Sequence, residues 1–184
     1  MPAHPAQSDL NILRKKLETA FTDFHAGRLG AAAESCRTIV DQVPDQPDAL
    51  HLLAMIAYRM NRIELAAQLF DETLKAAPRL AQAWSNKALV LRMLNHHDEA
   101  LAAGKQAIAC DPNMASGWDI TGLILREKRD FDAALEHHQR AAELSPDNEH
   151  ILNNYAIALA ARHQLDEAWR VARKAEKRAP TMAV

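Results

Sequence analysis

The sequence predicts an all-α fold built from stacked helical hairpins. Five of its eight prolines recur with a constant step of 34 residues, at Pro44, Pro78, Pro112, Pro146 and Pro180. Alanines recur with the same step, at Ala32, Ala66, Ala100, Ala134 and Ala168. A fixed period of this size indicates supersecondary units that stack on one another. The composition agrees, because Leu, Ala, Glu, Lys, Arg and Gln dominate the chain and all are good helix formers.

The period predicts one domain of five repeats, with about ten antiparallel helices arranged as a solenoid. The repeats run over residues 13–46, 47–80, 81–114, 115–148 and 149–182. An extension over residues 1–12, which contains the start of the first helix, precedes them, and a tail over 183–184 follows. We expect Ser8 and Asp9 to cap a first helix that reaches His25.

Repeat 3 illustrates how each repeat forms two helices. Trp84, Ala88 and Leu91 share one face at steps of three and four residues. After a polar break over residues 95–97, a second apolar face of the same kind begins at Ala100 and continues to Ala107. The periodic prolines then stand where each second helix must stop, because proline cannot continue a helix.

A second column of small residues predicts where the two helices of each repeat cross. Helices in a tight hairpin can approach closely only where both side chains are small. We therefore expect this column to face the periodic alanines of the second helices. Its members are Ala20, Ala54, Ala88, Gly122 and Ala156.

Composition and charge exclude several classes of protein. The formal net charge of −2 argues against nucleic acid as a partner, since it gives no basic surface to match a phosphate backbone. No apolar stretch is long enough for membrane insertion, and residues 1–9 do not resemble a signal peptide. Two cysteines do not make a disulfide framework. These features predict a cytoplasmic protein.

No catalytic residue, metal site or cofactor is predicted. The adjacent histidines His96-His97 and His137-His138 cannot bind one ion together, because neighbours on a helix point to different sides. The sequence has no H-E-x-x-H motif, no paired C-x2-C motif and no glycine-rich phosphate loop.

The repeat resembles the tetratricopeptide repeat (TPR), a helix-turn-helix unit of 34 residues whose motif is W-x2-L-G-x2-Y, then A-x3-F, then P. The match departs from the motif at Gly104, which replaces the large aromatic of repeat 3, and at Lys16 in repeat 1. The motif residues of repeat 2 are Leu50, Leu53, Ala54, Ala57, Ala66, Phe70 and Pro78, and those of repeat 4 are Trp118, Gly122, Leu125, Ala134, His138 and Pro146.

The resemblance implies a right-handed superhelix whose first helices line a concave groove for a peptide or a partner helix. Its apolar floor would be Phe21, Met55, Leu89, Leu123 and Ile157, which could equally be residues packed between neighbouring helices. Beside the floor would lie Tyr58, with Arg92 and Arg126 for an acidic partner or simply exposed to water. His51 and Asn153 belong to a polar line that also includes Ser85 and Asp119, and Asn86 and Asn154 form a partial asparagine ladder for a peptide backbone.

The sequence therefore predicts a protein–protein interaction module that binds a protein or peptide and has no catalysis of its own. An alternative is the substrate-recruiting N-terminal region of a larger bacterial protein glycosyltransferase or sulfotransferase, because the run from Pro47 to Leu53 is similar to TPR regions of such enzymes. Weak self-association through the C-terminal repeat is a further expectation. There Glu176 and Arg178 predict a helix that faces water, whereas Trp169 favours a packed partner.

Overall fold

The predicted all-α fold is confirmed by a computed structural model, which describes residues 7–178 and the side chains of residues 11–176. Ten α-helices and no strand occur within the described range. They alternate as first and second helices of successive hairpins. The helices are α1 (Gln7–His25), α2 (Leu29–Gln42), α3 (Pro47–Arg59), α4 (Ile63–Ala76), α5 (Ala81–Met93), α6 (His97–Cys110), α7 (Ala115–Glu127), α8 (Phe131–Leu144), α9 (Glu149–Ala161) and α10 (Leu165–Arg178).

Every hairpin closes with the same backbone turn. One residue between the two helices adopts a positive φ of 57–76°, in the left-handed region that helices use at their C-terminal ends. At the second hairpin, for example, the N–H of Asn61 donates to Tyr58 O and the N–H of Arg62 donates to Ala57 O. These bonds satisfy carbonyl groups that the helix leaves free. The five left-handed residues are Gly27, Asn61, Asn95, Arg129 and His163, again 34 positions apart.

Proline marks the helix boundaries as the sequence predicts. Pro44, Pro78, Pro112 and Pro146 each follow a second helix by two residues, and Pro180 lies outside the described residues. Pro47 opens α3, where its missing N–H is harmless. The predicted cap at Ser8 and Asp9 is wrong, because α1 already includes both residues.

The described chain divides into two compact units at Arg79 and Leu80. The first unit contains α1–α4. Its core includes Ala20, Cys36, Leu52 and Ile56, all almost inaccessible to solvent. Burial raises the pKa of the Cys36 thiol to about 11, so this cysteine acts as a small apolar side chain at neutral pH.

The second unit contains α5–α10, in which each helix packs against its neighbours in the sequence. Ala88, Ala100 and Ile124 form the buried centre of its first part, against which Trp84 packs. Ala141, Leu152 and Ala175 form the centre of its last part. No helix between residues 7 and 178 is long and apolar enough to span a bilayer.

Both columns of small residues are buried, as the predicted helix crossings require. Ala54 and Ala66 are fully buried in the hairpin of α3 and α4, and Ala88 and Ala100 in that of α5 and α6. Gly104 stands where the TPR motif expects an aromatic residue because Thr121 takes up the space. A Cβ atom at position 104 would overlap Thr121 Oγ1, which is held by its hydrogen bond to Gly117 O at 2.7 Å.

Candidate functional site

The second unit has a surface pocket formed by its three first helices, α5, α7 and α9. It is open to solvent and has a volume of about 260 Å³. Two of the predicted floor residues, Leu89 and Leu123, meet here, and the predicted Asn86 lies at the same pocket. The full lining is Ser85, Asn86, Leu89, Ser116, Asp119, Ile120, Leu123, Asn148, His150 and Ile151.

The floor of this pocket is partly core and partly surface. Ile120 is buried, whereas Leu89 and Leu123 are half-buried and pack against the cluster around Ala88 and Ile124. The two leucines therefore support the helices below them and still present part of their side chains to the pocket. Leu89 and Leu123 therefore belong both to the core packing and to the pocket lining.

Asp119 joins three helices at the wall of the pocket. Its Oδ1 accepts from His138 Nδ1 of α8 at 2.8 Å, and Asn154 Nδ2 of α9 donates to Oδ1 and Oδ2 at 3.1 and 3.0 Å. The Asp119 side chain is 15% exposed and the His138 side chain is fully buried. Asn154, predicted to bind a peptide backbone, thus already donates its amide group to Asp119.

The two predicted arginines differ in their surroundings. Arg92 Nη1 donates to Glu127 Oε1 at 2.6 Å, and His97 Nδ1 lies 3.5 Å from the other oxygen of the same carboxylate. This partly buried pair ties the end of α5 to the end of α7. Arg126 is also half-buried, and within residues 7–178 its guanidinium forms no ion pair.

Four of the residues predicted for the groove belong to the first unit, which ends at Arg79. Phe21 is exposed, and Met55 and Tyr58 are half-buried. His51 is half-buried beside Phe70, with the ring centroids 5.7 Å apart. Burial lowers the pKa of His51, and the nearby Asp48 opposes this shift only in part.

The remaining predicted residues, Asn153 and Ile157, line a second and more open depression between α9 and α10, with a volume of about 680 Å³. Large apolar side chains are exposed here: Ile157 by 51%, Leu165 by 63% and Trp169 by 62%. The guanidinium of Arg173 lies 4.6 Å above the ring of Trp169. This depression does not share lining residues with the pocket of α5, α7 and α9.

Sequence reasoning missed several residues of the first pocket. Ser116 and His150 hold the same place in repeats 4 and 5, and Ile120 stands where the repeats on either side have Asn86 and Asn154. The 34-residue register was the signal that could have found them, because equivalent residues of neighbouring first helices line one wall.

The chain belongs to the tetratricopeptide repeat family. Two family models with the description "Tetratricopeptide repeat" match it, one over residues 51–115 and the other over residues 125–181, which together cover about two thirds of the sequence. Proteins built from such repeats are in general non-catalytic interaction modules. No curated protein sequence matches the chain.

Several solved structures share this fold at low sequence identity. PilF of Pseudomonas aeruginosa is 15% identical, with a TM-score of 0.86 over 95% of this chain and 80% of PilF. A thermophilic TPR protein of Thermus thermophilus is 22% identical, with a TM-score of 0.76 over 92% and 93% of the two chains. YrrB, described as a TPR protein with an unusual peptide-binding site, is 17% identical, with a TM-score of 0.68 over 91% and 86%.

Proposed function

We propose that the protein is an interaction module that binds a peptide segment of a protein partner in the pocket of α5, α7 and α9, with no catalysis of its own. The observation that carries the proposal is the combination of an apolar floor with a polar wall at one pocket. Leu89, Ile120 and Leu123 offer the floor, and Ser85 and Asp119 belong to the wall. Concave sites of this composition are typical of ligand binding.

The two parts of the pocket would act differently. Burying one or two apolar side chains of a peptide against the floor supplies the affinity, at about 1.5–3 kcal/mol for each side chain. After the cost of ordering the peptide, this corresponds to dissociation constants of roughly micromolar size. Polar groups set the direction of the chain. We assign Arg126 to an acidic group of the ligand, because Arg92 is already bonded to Glu127.

Two carboxylates placed on the floor test the proposal. A peptide selected from a random library on the wild-type protein is titrated against the double variant Leu89→Glu/Leu123→Glu. We expect binding to fall at least about a hundredfold, or by about 2.7 kcal/mol, with little change in helical circular dichroism. The matched control is Ala102→Glu/Gln106→Glu, which adds the same charges at exposed positions of α6.

Two results would contradict the proposal. Unchanged affinity in the floor variant would show that the peptide binds elsewhere. Loss of the helical signal in the floor variant alone would show that Leu89 and Leu123 serve the core and not a ligand.

Weak self-association through the C-terminal repeat is a second candidate, and the exposed Leu165 and Trp169 favour it. An apolar patch of this kind is often an interaction site. Under this hypothesis, sedimentation at rising concentration shows dimers that Trp169→Gln dissolves. A wild type that stays monomeric throughout excludes it.

Recruitment of substrates to a larger glycosyltransferase or sulfotransferase stays a prediction, as does a cytoplasmic location. The length of the native reading frame tests the first. Fluorescence microscopy of the tagged protein in its host tests the second.

A further inference from the structure

The first unit contains an apolar pocket away from the predicted groove residues. It lies between the second helices α2 and α4 and has the end of α3 as its floor. Its volume is about 200 Å³, and apart from two arginines its lining is apolar. The lining residues are Ala33, Arg37, Leu53, Ile56, Ala57, Met60, Arg62, Leu65 and Leu69.

In the second unit, an ion pair bridges each equivalent place. Lys128 Nζ at the end of α7 lies 2.5 Å from Asp98 Oδ1 of α6, and Arg162 Nε after α9 lies 2.7 Å from Asp132 Oδ1 of α8. These pairs join the first turn of one second helix to the end of the next first helix. They recur with the 34-residue step within the second unit, whereas positions 64 and 94 of the same register hold Glu64 and Leu94, which cannot form the pair.

The first unit cannot make this bridge. The positions equivalent to Asp98 and Lys128 are Gly30 and Met60, which carry no charge. Gly30 has no atom within 4 Å of the place where a Cβ would lie, and Met60 is 44% exposed. The cleft is therefore open and apolar, whereas both equivalent clefts of the second unit are crossed by an ion pair.

The fold does not require an apolar rim at this point. Leu65 is 40% exposed. The equivalent residues of repeats 3 and 5, Glu99 and Glu167, are exposed as well, so this position accepts a charged side chain. An exposed leucine beside an exposed methionine carries a hydration cost that a glutamate at position 65 would avoid. A ligand that covers both side chains accounts for their presence.

The charges at the rim indicate the chemistry of that ligand. Arg37 and Arg62 both line the pocket and both are exposed. The ion pair of Arg37 with Glu34 is long, at 3.6 Å, and its side chains are 60% and 78% exposed, so water competes with it. Two guanidinium groups beside an apolar cavity are complementary to an apolar group flanked by carboxylates.

We propose that this pocket is a second binding site, which takes one large aliphatic side chain of an acidic peptide segment. The volume supports a single side chain, because pockets for drug-sized ligands begin at about 300 Å³. The site lies in the first unit and shares no lining residue with the pocket of α5, α7 and α9. A partner that binds it docks through an acidic stretch with one exposed leucine or isoleucine.

The probe is an acetylated and amidated pentapeptide with leucine at its centre and glutamate at the other positions. One comparison peptide has alanine at the centre, and another has lysine in place of glutamate. Methyl NMR of the full chain follows Leu53, Met60, Leu65 and Leu69. We expect the leucine–glutamate peptide to shift these signals, and each comparison peptide to bind at least about fivefold more weakly.

The decisive variant is Gly30→Asp/Met60→Lys, which builds the missing ion pair into the first unit. An acid in the first turn of α2 suits the helix dipole, so this variant folds readily. We expect it to bind the leucine–glutamate peptide at least about tenfold more weakly than the wild type. The control Gly30→Ala/Met60→Leu keeps the rim apolar and retains binding, and Leu65→Gln weakens binding without any new charge.

The proposal is overturned if the alanine peptide binds as well as the leucine peptide. It is also overturned if both Gly30→Asp/Met60→Lys and Leu65→Gln keep the wild-type affinity. The floor variant Leu89→Glu/Leu123→Glu leaves this binding unchanged if the two sites are separate, so a failure here is distinct from a failure of the proposed function.

Discussion

The imidazole of His138 is fixed between the carboxylate of Asp119 and the backbone of Gly122. Its Nδ1 donates to Asp119 Oδ1 at 2.8 Å, and a Cβ placed on Gly122 would lie 2.8 Å from its Nε2. The ring is fully buried, and its Nε2 has no hydrogen-bond partner among the described residues. Repeat 4 therefore needs glycine at a position where the other repeats have alanine.

Gly122→Ala should destabilise the protein by about 1–3 kcal/mol, as overpacking in a tight core does. The added methyl group pushes on a ring that cannot retreat, because the ring is held by Asp119. Urea denaturation followed by circular dichroism at 222 nm, a wavelength that reports helix content, measures the change.

The background variant His138→Ala supplies the control for this prediction. Without the ring, the methyl group at position 122 has room, so Gly122→Ala should then cost less than about 0.5 kcal/mol. An equal cost in both backgrounds would show that His138 is not the obstacle.

Ala100→Leu should also cost about 1–3 kcal/mol, since Ala100 is fully buried at the crossing of α5 and α6. Ala102 lies on the exposed side of the same helix, and Ala102→Leu should change the free energy of unfolding by less than about 0.5 kcal/mol. Thermal midpoints of the two variants make the comparison. Equal midpoints would contradict the predicted crossing.

The half-buried His51 should make stability depend on pH. Burial lowers its folded-state pKa below the ordinary value of 6.5, so the unfolded chain takes up a proton first as the pH falls. The contribution of His51 is complete above pH 6.5 and is lost as the pH falls from there through the folded-state pKa.

Urea midpoints at about pH 7.5 and about pH 5.5 test this dependence. In His51→Gln the difference between the two midpoints should shrink, whereas in His150→Gln, which removes an exposed histidine, it should persist. A wild-type difference that His51→Gln leaves unchanged would assign the dependence to other groups.

The sequence was sufficient to predict the helices because the 34-residue period places all of them in one common register. Five copies of one weak pattern, with proline after each second helix, locate the hairpins and the crossings of small residues. The boundary at Ser8 and Asp9 failed because it had no counterpart in the other repeats. Two polar residues alone are weak evidence for the start of a helix, because the helix can begin before them, as α1 does at Gln7.

The candidate site was only partly predictable, since its network depends on contacts between different helices. Leu89, Leu123 and Asn86 followed from the resemblance to the tetratricopeptide repeat, carried over in the 34-residue register. The sequence could not show that Asn154 donates to Asp119 or that Arg92 pairs with Glu127, because both contacts join residues 35 positions apart whose side chains could equally face solvent.

The recurrence of one left-handed residue in every hairpin turn has a consequence for how such a chain can change in length. The bonds that close each turn involve only backbone atoms, so an asparagine, an arginine or a histidine can stand where the first hairpin has glycine. A cut at Asn95 rejoined at Arg129 removes 34 residues and restores the same local backbone on both sides of the junction. Duplication or deletion of whole repeats through in-frame recombination at these turns therefore preserves the geometry of the hairpins that remain.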